Sequence, residues 1–106
     1  MGETYAVIWR VGDGCVCAGR FALTREGFLL AGADRTGTAS SETIDSADIS
    51  SIRIGRARDE RIDGRVSLVV ERTDGEQLVV ASALGVGLIH EIADRLGDQS
   101  RVRLRA

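Results

Sequence analysis

The chain sets about seven short strand-like runs ahead of a single amphipathic helix, and that order limits its fold more than any other feature. The last hairpin and the helix show the change most clearly. Val66–Arg72 and Gln77–Ala81 are apolar runs on either side of Asp74-Gly75, a dipeptide suited to the φ > 0 angles of a tight hairpin turn. From Leu84 to Leu96 the apolar period lengthens from two residues to about 3.6. Leu84, Leu88, Ile89, Ile92, Ala93 and Leu96 then share one stripe, with His90 and Asp94 opposite. The spacing predicts a helix over about 84–97, with Ser82 as its N-cap and Gly97 as its stop. Such a helix plugs an open end of a small antiparallel sheet.

Upstream, Thr4–Val11 reads as a half-buried strand and Gly12-Asp13-Gly14 as a turn. Cys15–Thr24 is a second strand, expected to bulge at Gly19. Arg25-Glu26-Gly27 turns the chain, with Gly27 left-handed, into a return strand Phe28–Gly32. Asp34–Ser41 is polar and aperiodic, hence a loop, and Glu42–Asp45 is a short strand. Ser46-Ala47-Asp48 forms a turn that drops Ile49 inward, and Ser50–Gly55 carries Ile52 and Ile54 on one face. The charged run Arg56–Gly64 is expected to face solvent. The tail 98–106, with Arg101, Arg103 and Arg105 alternating with Val102 and Leu104, fits either an added edge strand or a disordered end.

At 106 residues these runs form one domain, 1–106, able to bury a core without a disulfide framework. The net charge of −2 and the scarcity of aromatics (one Trp, one Tyr, two Phe) argue against nucleic acid as a partner. No run approaches a transmembrane span, and the N-terminus has no secretory pattern, so the expected compartment is the cytoplasm. All 14 basic residues are Arg, which reads as a GC-rich, bacterial coding background. Cys15 and Cys17 are expected to be buried structural thiols on one strand face. The single His90 has no local nucleophile to activate, and the Gly85-Val86-Gly87 run lacks dinucleotide spacing. The chain therefore reads as no enzyme, with no catalytic residue, no metal and no cofactor.

Three stretches, 19–32, 42–55 and 66–82, resemble the GRAM and bacterial pleckstrin-homology-like group, with Gly19, Leu23-Thr24, Ile49 and Asp74-Gly75 at matching places. The resemblance implies a mainly β fold: a seven-stranded antiparallel β-sandwich or partly open barrel of two nearly orthogonal sheets, capped by one C-terminal α-helix. It also implies a binding or assembly module acting on a protein partner, on further copies of itself, or on a phosphoinositide. Lipid-binding members grip phosphates with basic residues around the first hairpin loop. Here that loop is the acidic Gly12-Asp13-Gly14, with only Arg10 and Arg20 further off, which argues against that site.

The candidate ligand-binding residues are Arg53, Arg56, Arg58, Arg61 and Arg65. Guanidinium forks suit phosphate or carboxylate, so this region could recognise an anionic membrane surface or a phosphorylated ligand. Asp59, Glu60 and Asp63 lie among them and support the plainer reading of a solvated, internally paired connection. Protein interaction or self-association through an exposed strand edge is the leading expectation.

Overall fold

The computed structural model describes residues 4–55, 57–83, 87–100 and 104–105. Its strands are β1 (Thr4–Val11), β2 (Cys17–Leu23), β3 (Gly27–Asp34), β4 (Ala39–Asp45), β5 (Ile49–Gly55), β6 (Ser67–Arg72) and β7 (Gln77–Ser82). They are followed by helix α1 (Gly87–Ser100) and a two-residue strand β8 (Leu104–Arg105). The sheet runs β4-β3-β2-β1-β7-β6-β5-β8, antiparallel throughout except for the β5–β8 pair. This is a mainly β fold of seven antiparallel strands in a curled half-barrel, capped by one C-terminal helix.

β1 makes the corner. Its residues Thr4–Trp9 pair with β2, while Val7–Val11 pair with β7. The offset lets one strand serve both halves, so the two sheets implied by the resemblance are joined into a single hydrogen-bonded surface. Alternation then sorts the side chains. Tyr5, Val7 and Trp9 of β1, Phe21 of β2, Phe28 and Leu30 of β3, and Leu68, Val70, Leu78 and Val80 of β6 and β7 are buried in one cluster on the concave face. Phe21 stacks on Phe28 with ring centroids 4.6 Å apart.

The helix closes this cluster with Ile89, Ile92, Ala93 and Leu96, packing on β3, β5, β6 and β7. Full burial of each Ile or Leu contributes about 1.5–3 kcal/mol. Among the described residues the helix spans Gly87–Ser100 and so runs on past Gly97, its expected stop; the expected start at 84 lies outside them. Ser82 ends β7, opposite Val7; its expected role as the N-cap turns on residues 84–86, which lie outside the described residues. The side chains of Leu84 and Leu88 lie outside the described residues. Leu104–Arg105 of the tail forms an added edge strand beside Ile52 and Arg53.

Several turns differ from expectation for identifiable reasons. β3 and β4 are longer than their apolar content suggests, and only a tight turn remains of the loop expected over 34–41. Asp34 builds that turn: its Oδ1 accepts hydrogen bonds from the Thr36 amide (2.9 Å), the Thr36 hydroxyl (2.6 Å) and the Thr38 amide (3.1 Å). The pairing through Gly19 is unbroken, so there is no bulge there. Gly19 instead faces Gly32 so closely that a Cβ would overlap the Ala31 carbonyl. Gly27 is likewise held by the nearby Ile44 carbonyl and does not take positive φ. At Asp74-Gly75 only Gly75 has positive φ (91°), giving a three-residue connection closed by the Arg72–Glu76 backbone bond.

Candidate functional site

The Arg-rich connection between β5 and β6 does not simply face solvent. It folds back over the convex side of the sheet. Asp63 and Gly64 both take positive φ (54° and 72°), the two-residue turn that Asp-Gly favours, and bring Ile62 back to Arg65. The turn delivers Ile62, 2% exposed, into a second cluster with Val69, Val79 and Ala81, flanked by the partly buried Ile8 and Val16. β6 and β7 are thus buried on both faces. That is why Leu68-Val-Val70 and Leu78-Val-Val-Ala81 read as continuous apolar runs rather than as alternations.

Polar groups fasten this flap at several points. Ile62 N–H donates to Ser67 Oγ (3.3 Å), and that hydroxyl donates to the Arg65 carbonyl (2.9 Å). Arg10 donates from Nη2 to the Asp59 carbonyl (2.7 Å) and from Nε to the Gly12 carbonyl (3.0 Å). Glu60 Oε1 accepts from the Ala57 amide at 3.2 Å.

The five candidate arginines are accordingly dispersed in role. Arg53 is held by an ion pair with Glu60 and by Glu71, whose Oε1 lies 3.3 Å from Nη2 and 3.4 Å from Nε. With side chains of Arg53 and Glu60 only 21% and 18% exposed, the first pair is part of the flap's attachment. Arg65 reaches across to the Ser82 carbonyl (3.3 Å). Arg58 and Arg61 are exposed, and Arg56 lies outside the described residues.

At the end of the half-barrel away from the helix, the β1–β2, β3–β4 and β6–β7 connections form an open rim. A polar groove of about 610 Å³ lies there, bordered by Arg10, Asp13, Asp59, Glu76 and Gln77. Beside it is a hollow of about 270 Å³ reached past Asp34 and Glu42, with Trp9 and Cys17 in its lining. Carboxylates dominate the rim, and the Thr36 hydroxyl bond holds the Asp34 carboxyl below the usual range. A rim of this sign suits an anionic headgroup poorly. Cys17 is buried as expected, whereas Cys15 is exposed because the strand begins only at Cys17 and leaves residue 15 in the connection. Among the described residues no three His, Cys, Asp or Glu side chains are grouped to hold a metal ion.

The remaining feature is the edge formed by β4. Asp34 N–H bonds the Thr38 carbonyl and Ser46 N–H bonds the Glu26 carbonyl, and the β3–β4 register between them is unbroken. Antiparallel pairs alternate between bonded and non-bonded positions. Ser40, Glu42 and Ile44 therefore bond to β3, while Ala39, Ser41 and Thr43 direct their backbone N–H and C=O groups away from the sheet. This seven-residue strand contains no Pro and no Lys, and β4 is the terminal strand of the sheet. At the opposite edge, β5 is flanked by β8.

The chain matches no known protein-family profile, and no curated protein matches it. Among solved structures it is similar to the C-terminal domain of an unknown protein from Leishmania infantum, at a TM-score of 0.70 and 11% identity, covering 93% of this chain and 82% of that one. At that identity the likeness concerns the fold alone.

The flap was recognisable only indirectly. Its signals are Asp63-Gly64, the lone apolar Ile62 within a charged run, and the double-faced apolar character of β6 and β7. The free edge had only a partial signal in β4 itself: Glu42–Asp45 reads as a short strand, but Ala39-Ser-Ser41 reads as loop until β3 is placed beside it.

Proposed function

We propose that this chain is a non-enzymatic binding or assembly module of the pleckstrin-homology-like kind, acting in the cytoplasm by pairing a protein partner, or another copy of itself, along the free edge of β4. The observation that carries the reading is the row of outward backbone groups at Ala39, Ser41 and Thr43 on an unbroken strand. A strand edge of this kind accepts a further strand through main-chain hydrogen bonds, and flanking side chains set the choice of partner. The strand order and the helix closing one end support the pleckstrin-homology-like assignment. No helix among the described residues is long and apolar enough to cross a membrane.

The anionic-surface reading is weaker on the geometry. Arg53 and Arg65 are engaged by the protein itself, and the open rim carries carboxylates. The test is sedimentation of the purified protein with and without vesicles containing anionic phospholipid. The protein should stay in the supernatant, and its association with protein should be lost in Ser41→Pro. Pelleting with the vesicles that disappears in Arg58→Glu/Arg61→Glu would overturn the reading in favour of an anionic ligand.

A further inference from the structure

We infer that the strand seated on the β4 edge is β4 of a second copy of this chain, antiparallel across a two-fold axis at Ser41. The inference rests on the edge-pairing reading above and names its partner and register. Because the outward groups belong to Ala39, Ser41 and Thr43, only registers that place odd positions opposite odd positions form hydrogen bonds. Four such registers keep most of the strand paired.

The axis at Glu42 sets two carboxylates directly opposite each other, which is destabilising. The axis at Thr43 places Glu42 against the apolar Ile44 of the second copy and leaves Ala39 beyond the strand. The axis at Ser40 shifts the pairing into the Asp34–Thr38 turn, whose backbone is already engaged. The axis at Ser41 has none of these defects. Ser41 then meets Ser41, Ala39 meets Thr43, and Glu42 lies opposite Ser40 of the second copy, whose hydroxyl can donate to the carboxylate. Glu42 lies on the concave side, half-buried beside Ser40, where a charge normally discourages edge pairing. In this register it selects the alignment instead.

The arrangement is isologous and closed, so it stops at a dimer. The edge is also prepared for it. The three hydrogen bonds to Asp34 Oδ1 fix the turn that leads into β4, and the Asp45 side chain accepts from the Ala47 amide (2.9 Å) at its exit. A strand already held in extended form loses little further entropy on pairing.

The test is sedimentation velocity of the full chain over a wide concentration series, with amide exchange measured by NMR. The parent should dimerise, with the Ser41 and Thr43 amides protected in the dimer. Ser41→Pro removes an outward donor without touching the β3–β4 ladder, so it should abolish the dimer and leave the melting temperature close to the parent's. Ser40→Glu places a carboxylate opposite Glu42 twice per dimer and should weaken it by roughly 2- to 30-fold; Ser40→Arg should tighten it by a similar factor.

A dimer lost in Ser41→Pro but indifferent to Ser40 would overturn the register. A parent that stays monomeric throughout would overturn the second copy as occupant while leaving edge pairing with another protein standing. A dimer that survives Ser41→Pro, with the edge amides exchanging freely, would overturn the edge reading as well.

Discussion

The Ser67 hydroxyl takes the Ile62 amide hydrogen at 3.3 Å, in a site where both residues are buried, and this one bond ties the flap to the start of β6. It lets the chain bury Ile62 without stranding its backbone donor. Ser67→Ala should therefore cost about 1–3 kcal/mol, because a buried amide is left unsatisfied. Ser51 provides the contrast: its hydroxyl is equally buried but has no partner among the described residues. Ser51→Ala should be neutral or slightly stabilising. Equilibrium urea unfolding of the two variants checks both, and equal losses would contradict the hydrogen-bond assignment.

The flap is held by its apolar residue more than by its exposed charges. Ile62→Ala should cost about 2–5 kcal/mol, by the lost apolar transfer and the cavity left against Val69 and Val79. Arg58→Glu/Arg61→Glu should leave the melting temperature nearly unchanged, since both side chains are exposed. Calorimetry on the two proteins separates these effects. A large loss in the charge reversal would mean that the arginines, and not Ile62, hold the segment down.

Ile92 is fully buried under the curl of the sheet. Ile92→Asp should unfold the domain or strip most of its stability, because an unpaired buried carboxylate adds a desolvation cost to the lost packing. Near-ultraviolet circular dichroism would report the collapse through Trp9 and Tyr5. A variant that melts like the parent would refute the role given to the helix.

Gly19→Ala tests the close approach of β2 and β3. Its new methyl would overlap the Ala31 carbonyl and crowd Gly32, both backbone, so relief requires the strands to separate. A loss of at least about 1–3 kcal/mol is expected, in the range of core overpacking. Gly37→Ala has open space around its Cβ but a φ of 86°, so it should cost less, through local backbone strain alone.

Asp34 gives a pH signature with a defined sign. Its carboxyl is held below the ordinary range, first by the Thr36 hydroxyl and then by the Thr36 and Thr38 amides. A depressed folded-state pKa means that the contribution is fully present above the ordinary carboxylate range and is lost as pH falls through the folded value. The Thr36 and Thr38 amide signals should therefore shift together in acid, below the ordinary carboxylate range. In Asp34→Ala that late titration should vanish. A Thr36 signal that titrates in the ordinary range would remove the turn's role.

By itself the sequence determined the class of fold. A period of two in Tyr5, Val7 and Trp9 and a period near 3.6 in Ile89, Ile92, Ala93 and Leu96 are local facts, and each states which face must be buried. The inward placement of Ile49 by the turn before it and the burial of Cys17 were legible as well, whereas the same face rule failed for Cys15, which is exposed. Local rules failed where a partner strand or an opposite face made the decision. Ala39–Asp45 became a full strand because β3 supplies its hydrogen bonds, not because its own side chains favour one. Gly19 and Gly27 were read as conformational devices, yet the structure needs them for close backbone approach. The charged run folded inward at Ile62 because two-faced β6 and β7 leave apolar area that something must cover. The fate of Arg53, paired with Glu60 seven positions along and Glu71 on the next strand, was likewise decided only when tertiary packing brought those carboxylates within reach. Side-chain pattern is local and visible in one dimension. Hydrogen-bond partnership, edge exposure and ion pairing depend on neighbours distant in sequence.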